Sequence, residues 1–178
     1  MRRFEISIEA RGTIQIVAAA LYLALGTAAC QTGGPDGPLF TPATDPGPAD
    51  ALVYVYRTES LRGVPGVDLK VDAQDLGQVD NGEYLSLLMA PGRHVLSARL
   101  RWLGIVPRSW NKVEFVTKPG QTFYLRVWAG YLTQPDIPQG ARESSGGAPT
   151  GGVAVFLSEQ SAELAALELA PMRRTAGR

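Results

Sequence analysis

The sequence predicts a mainly β fold, an antiparallel β-sandwich of about seven to eight strands closed by one C-terminal helix. Two observations carry this. From Ala51 onward, short runs of alternating apolar and polar residues recur between clusters of turn residues. That rhythm belongs to sandwiches and barrels, because one side of each strand faces a core and the other faces water. Near the end the alternation gives way to a segment that starts at a capping Ser and stops at a Pro.

The elements follow in order. Leu52-Val53-Tyr54-Val55-Tyr56-Arg57 is β-branched and aromatic and reads as a buried first strand. Val67, Leu69 and Val71 alternate with Asp68, Lys70 and Asp72, a half-buried strand with one wet face. Leu76 to Val79 is a short strand, and Asp80-Asn81-Gly82 then supplies the positive φ angles of a tight hairpin, with Tyr84 to Met89 as the partner strand. Pro91-Gly92 turns the chain again. His94, Leu96, Ala98, Leu100 and Trp102 line one face of a longer strand, with Arg93, Val95, Ser97, Arg99 and Arg101 on the other. Trp110 to Thr117 is the next strand, and Lys118-Pro119-Gly120-Gln121 suits a type II turn. Thr122 to Ala129 places Phe123, Leu125 and Val127 on one face and Tyr124, Arg126 and Trp128 on the opposite one. The stretch 131–151, rich in Gly, Pro and Ser, is expected to be a long mobile loop, either functional or simply disordered. Gly152 to Leu157 is the last strand. Ser158 then caps a helix from Glu159 to about Ala170, with Leu164 and Leu167 facing inward and Pro171 ending it.

The N-terminus has a different character. Arg2, Arg3 and Arg11 precede a 13-residue apolar run from Ile14 to Gly26, and small residues follow. This is the layout of a secretory signal peptide, and the run falls short of the roughly 20 residues that a transmembrane helix needs. Thr27-Ala28-Ala29-Cys30 then resembles the bacterial lipobox, in which a cysteine after small residues receives lipid and becomes the mature N-terminus. The expectation is a signal peptide over 1–29 and lipidation of Cys30, with acyl chains holding the protein to a membrane. The alternatives are cleavage after Ala29 without lipidation, or an uncleaved anchor. Gln31 rather than Asp follows Cys30, which by resemblance to bacterial sorting rules points to the periplasmic face of the outer membrane over the inner one. Residues 31–50 contain nine Gly or Pro in twenty and read as a tether, disordered or extended, in which Leu39 and Phe40 are the one apolar pair. The domain is thus bounded at 51–170, and 171–178 is a basic tail.

Composition removes several function classes. The chain has 178 residues, with 17 Lys+Arg against 17 Asp+Glu, one Cys and one His. Zero formal charge gives no general reason to bind nucleic acid. One Cys makes no internal disulfide, and one Cys with one His does not fill a tetrahedral zinc site without carboxylates or a second chain. No catalytic triad, phosphate-cradling glycine loop or catalytic carboxylate pair is legible, so neither an enzyme nor a cofactor nor a metal is expected.

The run from Ala51 to about Ala170 resembles a family of bacterial lipoprotein domains known as Domain of Unknown Function 2846. Four elements carry the likeness: Val55-Tyr56-Arg57, Asn81-Gly82-x-Tyr84, Pro91-Gly92-x-His94 and Phe123-Tyr124-Leu125-Arg126. The resemblance implies an exported, lipid-anchored β domain and no reaction.

The candidate binding surface comprises Arg57, His94, Arg126 and Trp128. His94 is either a proton donor or metal ligand, or an inward histidine bonded to a carbonyl or carboxylate; the sequence favours the second. Arg57 and Arg126 either meet across the sheet to hold an anion or pair with Asp68, Asp72 or Glu114. Asp68, Asp72, Asp75 and Asp80 lack the spacing of a calcium loop. Arg93, Arg99, Arg101 and Arg108 form either a basic strip for lipid head groups or an acidic partner, or a solvated face. The expected role is a non-catalytic binding or scaffold domain of the cell envelope. The alternatives are an accessory subunit of an envelope secretion or transport complex and a periplasmic small-ligand carrier.

Overall fold

Alternation places two sets of apolar side chains on facing surfaces, and burial of both requires two sheets. The computed structural model has this form and describes residues 37–43, 46–102, 106–107, 109–131, 142–143 and 152–175. The expected signal peptide, Cys30 and most of the expected 131–151 loop lie outside the described residues. The strands are β1 (Ala51–Arg57), β2 (Val67–Val71), β3 (Gln74–Val79), β4 (Glu83–Met89), β5 (Gly92–Arg99), β6 (Arg101–Trp102), β7 (Val106–Pro107), β8 (Asn111–Thr117), β9 (Thr122–Tyr131), β10 (Arg142–Glu143), β11 (Val153–Glu159) and β12 (Arg173–Arg174). One helix, α1, spans Ala162–Leu169. Among the described residues, eight strands have five residues or more, and the remaining four have two each.

One sheet has the order β10-β11-β9-β1-β4-β12 and the other β3-β2-β5-β8, with β6 and β7 paired separately. Val53, Val55, Leu85, Leu125, Val127, Val155 and Leu157 of the first sheet share one core with Val67, Leu69, Leu96, Val113 and Phe115 of the second. The expected antiparallel arrangement holds for most pairs but not all, since β1 runs parallel to β9 and β12 parallel to β4. The central strand β1 is buried along its whole length, which explains its nearly continuous apolar sequence.

Other expected features change too, and the strand expected to run on to Trp102 ends at Arg99, with Arg101–Trp102 paired to β7 instead. The Asn81-Gly82 turn is not a hairpin, because β3 and β4 belong to different sheets. Only Gly82 has positive φ there, at 84°, while Asn81 uses its side chain to donate to the Glu59 carbonyl (2.9 Å) and accept from the Glu59 N–H (3.0 Å). The tight hairpin is β2–β3, whose two turn residues, Asp72 (φ 49°) and Ala73 (φ 73°), are left-handed without being glycine. The helix also starts later than expected. Ser161, not Ser158, caps it, accepting from the Leu164 N–H. Its buried residues are Ala165 and Leu169, and the two expected to face inward, Leu164 and Leu167, are 41% and 75% exposed. Among the described residues no helix is long and apolar enough to cross a membrane.

The stretch expected to be a tether reaches the sheet. Phe40 packs edge-on against Tyr54 (5.4 Å) and Tyr84 (5.2 Å), and its N–H donates to the Met172 carbonyl (2.8 Å). Tyr54 stacks on Tyr124 at 5.6 Å, and Ala165 and Leu169 of α1 close this second apolar layer together with Met172 beyond the helix. Gly37 lies so close to Arg174 that an added Cβ would fall 1.7 Å from its carbonyl oxygen. The chain segments 37–43 and 171–175 therefore belong to the folded unit, and the boundaries at 51 and 170 are drawn too tightly. Similarly, β10 places a strand inside the expected loop, paired with Phe156 and Leu157.

Replacing Phe40 with Ala should cost about 2 kcal/mol, less than the loss typical of a fully buried Phe because the ring is only half buried. Gly37→Ala should also destabilise, because the segment must move off Arg174. Denaturant midpoints check both, and wild-type stability in either variant would show that residues 37–43 add nothing to the domain.

Candidate functional site

Arg57 ends β1 on its core-facing side, after Val53 and Val55. Its side chain and that of Glu59 are both 0% exposed, and they form an ion pair. The guanidinium donates from Nε to both Glu59 oxygens (3.1 Å each), and from Nη1 to the Pro65 (2.9 Å) and Val79 (3.1 Å) carbonyls. The second Glu59 oxygen accepts the Ala129 N–H at 2.8 Å. Burial of two charges is tolerable only when their hydrogen-bonding capacity is filled in this way. Arg57 is thus a structural clamp with no surface to offer a ligand.

Arg126 lies beside Tyr56 on the other face of the same sheet, so Arg57 and Arg126 do not meet. Odd and even positions of a strand point to opposite faces, and in this register Arg57 pairs with Val127. Arg126 pairs with Glu168 of α1 at 3.2 Å and donates to the Thr58 carbonyl at 3.4 Å. The Tyr56 hydroxyl donates to the other Glu168 oxygen at 2.7 Å. Burial first, then this carboxylate, hold the Tyr56 hydroxyl far above its ordinary pKa of 10.0, outweighing Arg126. Trp128 is buried beside Phe156, with ring centroids 4.9 Å apart. Of the four residues proposed as one surface, Arg57 and Trp128 are buried, and His94 lies on the second sheet.

His94 has both ring nitrogens against acceptors. Nδ1 lies 2.6 Å from Asp72 Oδ2 and Nε2 lies 2.8 Å from the Ala90 carbonyl. A neutral ring has one N–H and serves one acceptor, so only the imidazolium satisfies both. Burial disfavours that charge, but the Asp72 and Ala90 hydrogen bonds outweigh it and raise the pKa above 6.5. Burial likewise disfavours the Asp72 carboxylate, but His94 and the Val95 N–H (2.8 Å) outweigh it and lower its pKa below 3.8.

The remaining acid–base grouping lies on the solvent face of the second sheet. The register sets Asp68 of β2 opposite Arg99 of β5. Asp68 accepts from Arg99 Nε (2.9 Å), from Arg101 Nε (3.0 and 3.1 Å) and from Gln78 Nε2 (2.9 Å). Its burial opposes ionisation, but the bonds from Arg101, Gln78 and Arg99 prevail and keep its pKa below 3.8. The Arg99 guanidinium stacks 4.3 Å over the Trp110 ring, with the Lys70 ammonium 4.9 Å over the same ring. An open cavity of about 390 Å³ is lined by Asp68, Asp75, Gly77, Gln78, Arg99 and Arg101. Arg93, on this face too, pairs with Glu114 at 2.8 Å. Arg108 and the Trp102 side chain lie outside the described residues. Among the described residues no three His, Cys, Asp or Glu come together to hold a metal ion.

Every partner suggested by sequence for Arg57 and Arg126 belongs to another group: Asp68 to Arg99 and Arg101, Asp72 to His94, Glu114 to Arg93. Glu59 carried a signal in its two-residue spacing from Arg57. Glu168 carried none, since its contact depends on where α1 docks.

Arg57→Met should cost about 3–5 kcal/mol because it strands Glu59 as a buried charge. The double variant with Glu59→Leu should lose less than the two single losses combined, as denaturant titrations would show; additive losses would refute the coupling. The His94–Asp72 pair should depend on pH. The raised His94 pKa adds stability that is complete below about pH 6.5 and lost as pH rises through the folded value. The depressed Asp72 pKa adds stability present above about pH 3.8 and lost as pH falls through its folded value. The stability gap between wild type and His94→Gln should therefore be widest between these limits and narrow at alkaline pH. An equal gap at both would argue against an imidazolium.

Half of the chain, residues 48–137, matches the model of a family described as protein of unknown function (DUF2846). The matched residues run from the approach to β1 through β9, so they include the Arg57 clamp, the His94–Asp72 pair and the Asp68 cavity. No curated protein matches the chain. The chain belongs to this family of proteins of unknown function, DUF2846.

Proposed function

We propose that this protein is a bacterial cell-envelope lipoprotein, a non-catalytic binding or scaffold domain held to a membrane through lipidated Cys30. The observation that carries the reading is the position of the chain's one cysteine, directly after an apolar run and three small residues. An unpaired cysteine in an exported protein is a reactive liability unless it is modified, and lipidation is the modification this context fits. Several acyl chains, at about 0.8 kcal/mol per buried CH2, give an anchor that one chain does not. The short stretch 31–36, with Gly33, Gly34 and Pro35, suits a spacer, and Gln31 favours the periplasmic face of the outer membrane.

The non-catalytic part of the reading rests on how the polar residues are spent. Arg57 and Glu59 bind backbone on both sides of the core, and His94 has both nitrogens engaged. A carrier built on Arg57, His94 and Arg126 together would need these residues in one pocket, but Arg57 is buried in the core, Arg126 lies on the outer face of the first sheet and His94 is on the second sheet. The solvent face around Asp68 is the better surface for a partner.

In cells fed a labelled fatty acid, the wild-type protein should take up the label and fractionate with membranes, and Cys30→Ser should do neither. Undiminished labelling of Cys30→Ser would overturn the anchor.

A further inference from the structure

We infer that the cavity around Asp68 binds the phosphate group of a small organic phosphate, held by Arg99 and Arg101. Asp68 is buried and fully hydrogen-bonded, so it acts as a post that orients two guanidiniums. One negative charge faces two positive ones, and the group of three carries a residual positive charge. Both arginines reach Asp68 through Nε, and among the described residues their Nη amino groups make no hydrogen bond. Those amino groups are the donors with which a guanidinium grips phosphate, two at a time. The side chains are 23% and 37% exposed, enough to reach a ligand while still partly shielded from competing water. Stacking on Trp110 fixes the plane of Arg99, so little freedom remains to be lost on binding.

Asp75 narrows the ligand class. One of its oxygens accepts the Gly77 N–H at 2.9 Å, and the other takes no hydrogen bond among the described residues. A second carboxylate in the lining repels a bare anion but accepts from a hydroxyl or ammonium group on the same ligand as the phosphate. The volume of about 390 Å³ is at the small end of the roughly 300–1,000 Å³ typical of ligand clefts, and larger than inorganic phosphate requires. The fitting ligand is therefore a phosphate ester with a neighbouring hydroxyl or amine, whether free in solution or in a lipid head group. This inference rests on reading the domain as a binding module. Its readout is separate from that of the Cys30 anchor, so either can fail alone.

The test uses the full chain in nonionic detergent, titrated calorimetrically with glycerol 3-phosphate and with inorganic phosphate. In parallel, flotation would be measured with phosphatidylglycerol vesicles and with neutral phosphatidylcholine vesicles, using Cys30→Ser to remove the anchor. Saturable, salt-sensitive binding of glycerol 3-phosphate, tighter than that of inorganic phosphate, is expected. Arg99→Gln and Arg101→Gln should each weaken it about tenfold or more, the loss of a charge-assisted hydrogen-bond pair. Arg99→Lys keeps the charge and should keep the fold, yet lose most of the affinity with the fork. Arg93→Gln, on the same face but paired with Glu114, should bind as wild type. Asp75→Asn should tighten inorganic phosphate and erase the preference for the ester. Binding to phosphatidylglycerol vesicles alone would assign the phosphate to a lipid head group, and binding of the free ester alone would assign it to a soluble ligand. No saturable binding in any arm, or binding unchanged by the Arg99 and Arg101 variants, would overturn the site.

Discussion

The buried Arg57–Glu59 pair is the constraint around which one end of the domain is arranged. At this end β1 leaves the first sheet, the chain crosses to β2, and β3 returns toward β4. Crossing segments bring backbone polar groups into the interior, and such groups must be satisfied. Arg57 satisfies those of Pro65 and Val79, and Glu59 satisfies the N–H of Ala129 on β9. Asn81 then holds the backbone of Glu59 from outside. An apolar residue at position 57 would fill the space but withdraw these donors and leave the Glu59 carboxylate unpaired.

From this clamp the two faces of the first sheet take different roles. Its inner face meets the second sheet in an aliphatic core, with Phe115 stacked on Phe123 at 5.3 Å. Its outer face is aromatic and is covered by Phe40, α1 and Met172. The second sheet has no such cover, so its outer face is polar, and charged side chains there pair across neighbouring strands. Asp68 is the exception among them, because it is buried at the bottom of its group and commits two arginines at once.

The Asp72–Ala73 turn shows how the sheets hold a local strain. A non-glycine residue at positive φ costs on the order of 1–2 kcal/mol, and this turn has two in succession. Asp72 is kept there by His94 and by the backbone of Val95, on the neighbouring strand β5. The domain's one histidine thus secures a hairpin, and its charge state ties that hairpin to pH.

Much of this was legible in the residues. Period-two alternation in β2, β5 and β9 located these strands and their inward faces, because side-chain direction in a strand follows from the backbone alone. Lys118-Pro119-Gly120-Gln121 announced its turn for an equally local reason, and Gly120 has the positive φ, 70°, that such a turn needs. The choice of sheet for each strand was not legible. Asn81-Gly82 looks the same whether the chain doubles back or crosses the core. Nor were the charge partners, since Arg126 meets Glu168, and Asp68 meets Arg99 and Arg101, only through strand register and helix docking. Local sequence sets which way a side chain points; which group it then faces depends on segments tens of residues away packing together to bury their apolar faces.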